Sequence, residues 1–187
     1  MPRSKTSSAT PPSVRMLIPE PDIRYAVADI AKRIEEDLRR HPAPDPVLVV
    51  GIMDGALIFM ADLVRRLPLS MEWRFVKASS YGRSRTSSGT VALDWFGSMD
   101  WRGRNVIVID DILDTGLTMK TIVDVIREGR PNRLLSVVLL RKQTERTVAF
   151  DVDYAAFDIP DTFVVGYGLD DAGRFRNLPY IGALEPD

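Results

Sequence analysis

Two adjacent carboxylates, Asp110 and Asp111, close the apolar run at residues 106–109, and Asp114, Thr115, Gly116, Leu117 and Thr118 follow them. Ionised carboxylates only accept hydrogen bonds, so such a pair suits two sugar hydroxyls or a hydrated Mg²⁺. Gly116 lets a backbone come close to a phosphate, and Thr115 and Thr118 add hydroxyl donors. Asp114 stands between the acidic pair and this cradle, within reach of whatever leaves or attacks at the sugar. A receiver-like acidic pocket also ends a strand in two aspartates, but it lacks the Thr-Gly-x-Thr that follows here. The same residues could also form an ordinary capped turn with solvated carboxylates.

The elements that carry these groups show in the apolar pattern. Residues 106–109 are apolar at every position, as in a central parallel strand covered on both faces. The loop after such a strand opens at the carboxyl edge of the sheet, where α/β proteins bind ligands. Met119, Ile122, Val123 and Ile126 recur at helical spacing, so a helix over 118–127 presents its unpaired N-terminal N–H groups to the cradle. Residues 47–53 read as a buried strand and 56–67 as a helix. The turn between them, Met53-Asp54-Gly55-Ala56, is a second candidate site, because Gly55 permits close backbone approach. Earlier, Asp22 caps a helix with the stripe Ile23, Val27, Ile30, Ile34 and Leu38, closed by Arg39, Arg40 and a Pro-rich linker at 41–46. Residues 72–78 alternate as a half-exposed strand, 79–90 form a long polar loop of the kind that works as a lid or is disordered, and 91–96 return as an antiparallel strand. The βαβ alternation then resumes with strands at 105–109 and 134–140. The fold class is α/β, with a central parallel sheet flanked by helices. Residues 16–187 read as one domain behind a disordered, Pro- and Ser-rich tail at 1–15.

The run Asp110-Asp111-Ile112-Leu113-Asp114-Thr115-Gly116-Leu117-Thr118 resembles the signature by which type I phosphoribosyltransferases bind 5-phosphoribosyl-1-pyrophosphate (PRPP). Four further motifs, in order, are similar to those of the hypoxanthine-guanine phosphoribosyltransferases. Ser79-Ser80-Tyr81-Gly82 with Thr86-Ser87-Ser88-Gly89 resembles their mobile active-site loop, with Ser80 and Tyr81 in the lid. Lys142, and the segment from Ile159 to Asp170, resemble their purine-binding parts; Phe175-Arg176-Asn177-Leu178-Pro179 resembles their C-terminal signature. The resemblance runs from about residue 18 to 184 and implies a small hood, a flap loop and transfer of phosphoribosyl to N9 of hypoxanthine or guanine in purine salvage. It implies Asp114 as general base, Lys142 at the purine's C6 oxygen, Phe163 stacked on the ring and main chain at Val164 reading the next edge. It also implies Asp170 near Mg²⁺, Arg176 and Gly55 near pyrophosphate, and Asp110 and Asp111 on ribose hydroxyls directly or through metal-bound water. The turn at Asp54 carries an unusual peptide geometry in that family. Asp54 stands where many members have lysine, so its side chain is expected in solvent or at a subunit contact. Thr162 also replaces a lysine found in some members.

Composition sets bounds. With 187 residues the chain can bury a substantial core without staples. It has no cysteine, which excludes disulfides, thiolate metal sites and cysteine nucleophiles. A net charge of −1 gives no overall field that would draw it to nucleic acid or a membrane, so phosphate binding must rest on local donors. No segment approaches the roughly 20 apolar residues of a membrane span, and the N-terminus lacks a secretory apolar stretch. A cytoplasmic location is expected, and the resemblance implies a homodimer or homotetramer. A PRPP-sensing regulator that binds RNA would need a clustered basic face, whereas the charges here are interspersed. A xanthine-preferring transferase is the nearer rival.

Overall fold

The largely apolar runs over 47–53, 106–109 and 134–140 lie side by side in one sheet, the middle run paired with each of the others, because none has a face that can be left in water. The computed structural model describes residues 13–44, 46–80, 91–97, 99–144 and 148–185. These form β1 (Val14–Ile18), α1 (Glu20–Arg40), β2 (Val47–Met53), α2 (Leu57–Val64), β3 (Met71–Ser80), β4 (Val91–Trp95), β5 (Asn105–Leu113), α3 (Leu117–Glu128), β6 (Arg133–Lys142), β7 (Tyr154–Ile159), β8 (Val164–Val165) and β9 (Ile181–Leu184). A six-stranded sheet has the order β4-β3-β2-β5-β6-β7, parallel except for β4 against β3. A separate three-stranded antiparallel sheet, β1-β9-β8, forms the hood.

The side chains of Val106, Ile107, Val108 and Ile109 are fully buried, each worth about 1.5–3 kcal/mol of burial. Alternation sends Ile107 and Ile109 to the layer of α1 and α2, and Val106 and Val108 to the layer of α3. The chain runs from β2 outward to β3 and β4, then returns to the other side of β2 as β5. The crevice between the carboxyl ends of β2 and β5 is therefore a topological switch point, the usual ligand site of an open α/β sheet.

Several boundaries differ from expectation. β5 continues through Asp110 and Asp111 to Leu113, because Asp110, Ile112 and Leu113 remain paired with Val138, Leu140 and Arg141 of β6. The paired aspartates thus lie within the strand rather than closing it. Asp22 does not cap α1; Pro19 does, its carbonyl accepting from the N–H groups of Asp22 and Ile23 at 3.1 and 3.2 Å. Pro21 fits the first turn, where its missing N–H costs nothing, and Glu20 and Asp22 complement the positive helix end. α2 stops at Val64, and Arg66 and Leu67 close it in tighter turns onto Leu63 and Val64. Val14 and Arg15, assigned to the tail, are strand residues paired with Leu184 and Ala183. Residues 1–12 lie outside the described residues. The edge strand β7 and the hood strands were not resolved by pattern alone.

One buried charge ties three elements together. Asp37, near the end of α1, accepts from Arg133 Nε and Nη2 of β6 at 2.9 and 3.0 Å, and from the Tyr154 hydroxyl of β7 at 3.2 Å. His41 Nδ1 lies 3.0 Å from the same carboxylate. Hydrogen bonding from Arg133, opposed by burial, holds the Asp37 carboxyl below its ordinary value. A lowered folded-state value gives stability that is complete above the ordinary 3.8 and is lost as pH falls below it. Asp37→Asn should lower stability at pH 7 by about 3 kcal/mol, or about 6–12 °C in Tm, since it leaves Arg133 without its partner. Thermal melts between pH 7 and 3 should show the gap to wild type narrowing on the acid side; a gap that is absent at pH 7 or constant with pH would remove Asp37 from this role.

Candidate active site

The pleat of β5 sends its two carboxylates to opposite faces. Asp111 shares the side of Ile107 and Ile109, toward α2, and Asp110 shares the side of Val106 and Val108, toward α3. Burial, reinforced by the neighbouring charge of Asp111, pushes the Asp110 carboxyl well above the ordinary range. Burial also raises Asp111, while the hydrogen bond with Asp110 and the charge of Arg176 work against that. The Asp111 N–H donates to Asp110 Oδ1 at 3.0 Å. A buried carboxyl beside a half-buried one, both raised, fits hydroxyl donors or a hard cation, which would restore the charged form. Among the described residues, no three potential ligands converge as a preformed metal cage. Mg²⁺ does not require one, because it keeps several of its waters.

β5 leads through Asp114 and Thr115 to Gly116, which caps α3 in the left-handed region at φ 80°. A side chain there would be strained, and no side chain caps the helix. The Leu117 N–H reaches Thr115 Oγ1 only at 3.4 Å. The first amides of α3 therefore face a cavity of about 280 Å³ lined by Asp110, Asp111, Asp114, Thr115, Gly116 and Thr118. Unpaired amides at a helix N-terminus and a pair of hydroxyls make this an anion cradle.

The turn after β2 closes the same crevice. The Met53–Asp54 peptide bond is cis, and Asp54 is exposed. Gly55 packs so closely on Asp111 that a Cβ would sit 1.6 Å from Asp111 Oδ2. A Cβ on Gly168 would lie 2.3 Å from the Gly55 carbonyl oxygen, so the C-terminal segment rests on this turn. Arg176 fixes that segment by donating to the Gly168 carbonyl at 2.6 Å and pairing with Asp170 Oδ1 at 2.8 Å. Tyr167 anchors it from below through a 2.5 Å hydrogen bond to Asp62 Oδ2 of α2.

A second cavity of about 180 Å³ adjoins the first and shares Asp111, Ile112 and Asp114 with it. Lys142, Phe163, Val164 and Asp170 line its other side. Lys142 is the last residue of β6, two positions past the strand expected at 134–140, and its Nζ lies 3.2 Å from Asp114 Oδ2 and 3.1 Å from Asp161 Oδ1. Burial disfavours the ammonium, but the two carboxylates outweigh it and its pKa is raised. Phe163 is 55% exposed at the rim of this slot. Val164 is buried in β8. Ser80 ends β3 opposite Val91, while Tyr81 and the remainder of the lid sequence, 81–90, lie outside the described residues.

Residues 15–172 match the phosphoribosyl transferase domain. The chain belongs to the phosphoribosyltransferase family. It is 42% identical to the hypoxanthine-guanine phosphoribosyltransferase of Aquifex aeolicus, over 92% of this chain and 95% of that protein. It is 37% identical to the hypoxanthine phosphoribosyltransferase of Escherichia coli K12, over 92% and 96%. A solved Trypanosoma cruzi hypoxanthine phosphoribosyl transferase superposes with a TM-score of 0.87 at 34% identity, over 99% of this chain and 95% of that one. The α/β architecture with a central, mostly parallel sheet is that of the type I phosphoribosyltransferases.

Within this phosphoribosyltransferase, the acidic pair, the cradle, Gly55, Lys142, Phe163, Val164, Asp170 and Arg176 come together around the two adjoining cavities. Asp161 on Lys142 and Tyr167 on Asp62 had no role assigned. Their only sequence signal is that they lie within the residues 159–170 motif. The Gly55→Ala variant should lose phosphoribosyl transfer about a hundredfold, because its methyl must displace either the turn or the Asp111 carboxylate by about an ångström. Steady-state kinetics, with circular dichroism to establish folding, checks this; turnover within a few-fold of wild type would mean that the close contact is dispensable.

Proposed function

We propose that the protein transfers 5-phosphoribosyl from PRPP to N9 of hypoxanthine or guanine, giving IMP or GMP and pyrophosphate, in purine salvage. The observation that carries this reading is the meeting of two cavities at Asp114, one an anion cradle and the other a slot with an exposed aromatic rim and an ammonium. A sugar phosphate in the first and a flat purine in the second would place the sugar C1′ and the base nitrogen side by side beside that carboxylate. The relatives' names point to the same substrates.

In this reading the α3 amides and the Thr115 and Thr118 hydroxyls hold the 5′-phosphate, and Asp110 and Asp111 accept from the ribose hydroxyls. That fixation replaces a bimolecular encounter by an aligned one. Loss of pyrophosphate leaves an oxocarbenium-like sugar, and the backbone of the Gly55 turn with Arg176 stabilises the departing anion. Mg²⁺, held by Asp170 and through water by Asp110 and Asp111, would supply charge neutralisation to the pyrophosphate. Phe163 stacks on the base, main chain at Val164 reads its edge, and Lys142 donates to the oxygen at C6. Asp114 takes the proton from N7 as N9 attacks. A lid carrying Ser80 and Tyr81, implied by the resemblance, belongs to this reading, although Tyr81 and the rest of 81–90 lie outside the described residues. Assembly as a homodimer or homotetramer, and a cytoplasmic location, belong to this reading. Exposed Leu57, Trp73 and Phe96 support self-association, and no helix among the described residues is long and apolar enough to cross a membrane.

Nucleotide formation with PRPP and Mg²⁺ on hypoxanthine, guanine, xanthine, adenine and orotate tests the proposal. Turnover with the first two and not the last two is expected; a preference for xanthine, or PRPP binding without turnover on any base, would overturn it. Asp114→Asn should lower kcat about a hundredfold or more with a smaller change in the KM for PRPP. Turnover comparable to wild type would take the base role from Asp114.

A further inference from the structure

The register of three parallel strands sets a row of charges along the carboxyl edge. Leu113 pairs with Arg141, which puts Asp114 opposite Lys142, and Lys142 pairs with Ile159, the last residue of β7; Asp161, two residues beyond that strand end, comes back onto the same ammonium. The Gln143 N–H donates to the Ile159 carbonyl at 2.8 Å and fixes the chain just beyond β6. Lys142 has a side chain only 12% exposed, while those of Asp114 and Asp161 are 50% and 62% exposed. Its ammonium has three N–H donors and no acceptor capacity. Asp114 and Asp161 engage it at nearly equal distances, 3.2 and 3.1 Å. Among the described residues no other group takes the third, and the purine slot lies beside it. The neighbouring Arg141 pairs separately with Asp158 and Asp151.

With Asp114 as its only partner, an ammonium on a flexible four-carbon stem would fold onto that carboxylate. The 1:1 pair would neutralise the general base and turn the donors away from the slot. A second carboxylate at an equal distance competes for the ammonium and opposes that collapse. We infer that Asp161, which does not itself touch substrate, is a positioning residue for purine recognition: it holds Lys142 midway between two carboxylates, with an N–H directed at the oxygen on C6. This rests on the assignment of Lys142 to the base made above. It also bears on base choice. An oxygen at C6 accepts from a fixed ammonium, whereas an amino group there would present donors to it.

Asp161→Asn, which keeps the shape and removes the charge, separates the possibilities. The KM for hypoxanthine and the Kd of IMP, measured by calorimetry, should each rise about fivefold, in line with an ion pair whose acid is more than half exposed. The KM for PRPP should not change, and the loss should fall on base affinity rather than kcat. Asp161→Glu should restore affinity. In a Lys142→Ala background, Asp161→Asn should have no further effect on IMP binding, which a merely structural role would not predict. Wild-type IMP affinity in Asp161→Asn, or an undiminished effect in the Lys142→Ala background, would overturn the inference. If Lys142→Ala by itself binds IMP as wild type does, the assignment of Lys142 to the base fails too, and the two failures are told apart by that one variant.

Discussion

The position of β5 between β2 and β6 is the constraint on which the rest of the site depends. Its four central residues are buried on both faces, so it cannot slide by one position without moving a carboxylate into the helix layer and an isoleucine into the crevice. That fixed register sends Asp111 against the Gly55 turn, Asp110 toward α3, and Asp114 beside Lys142. The same ladder continues to β7 and delivers Asp161. Chemistry in this protein is thus a consequence of strand pairing: the catalytic edge is assembled from loops whose starting points the sheet has already set.

What sequence reasoning could see follows from where burial is complete. β2 and the apolar part of β5 are uninterrupted runs, because each has sheet on both sides and helices above and below. The α1 stripe from Ile23 to Leu38 is legible for the same reason on one face. β7 was missed because an edge strand needs no such run; Tyr154, Ala155, Ala156 and Phe157 are only half-buried. The hood is expected only through the family resemblance, and its strands are not legible locally because their partners are remote in sequence, Val14 with Leu184 and Val164 with Ala183. Two adjacent aspartates read as a strand end, since aspartate is a poor strand former, yet the β6 ladder carries β5 past them. The cap of α1 was misplaced because Asp22 has the right type for a cap while Pro19 has the right backbone.

The site residues divide along the same line. Those belonging to contiguous motifs, from Asp110 to Thr118, were identifiable as chemistry from residue type and spacing. Lys142, Phe163 and Arg176 are individually unremarkable in sequence and gained meaning only through resemblance to a family. Asp161 and Tyr167 act through other residues, Lys142 and Asp62, so their significance is a distance rather than a residue type. A single sequence carries no distances.

The charge of the two cavities imposes a last condition on the proposed reaction. Asp110, Asp111, Asp114 and Asp170 line them, against the single ammonium of Lys142 among the described residues, and Arg176 is engaged with Asp170. A polyphosphorylated sugar would meet net repulsion from these side chains. Two features reconcile an acidic site with an anionic substrate. Helix amides bind phosphate without a formal charge, and a glycine where any side chain would clash with Asp111 lets main chain rather than carboxylate meet the leaving group. The remaining imbalance is what a divalent cation carried with the substrate would correct. In the proposed reaction the acidic pair would then serve two ends: it would repel anions that arrive without a metal, and it would hold the ribose of one that arrives with it.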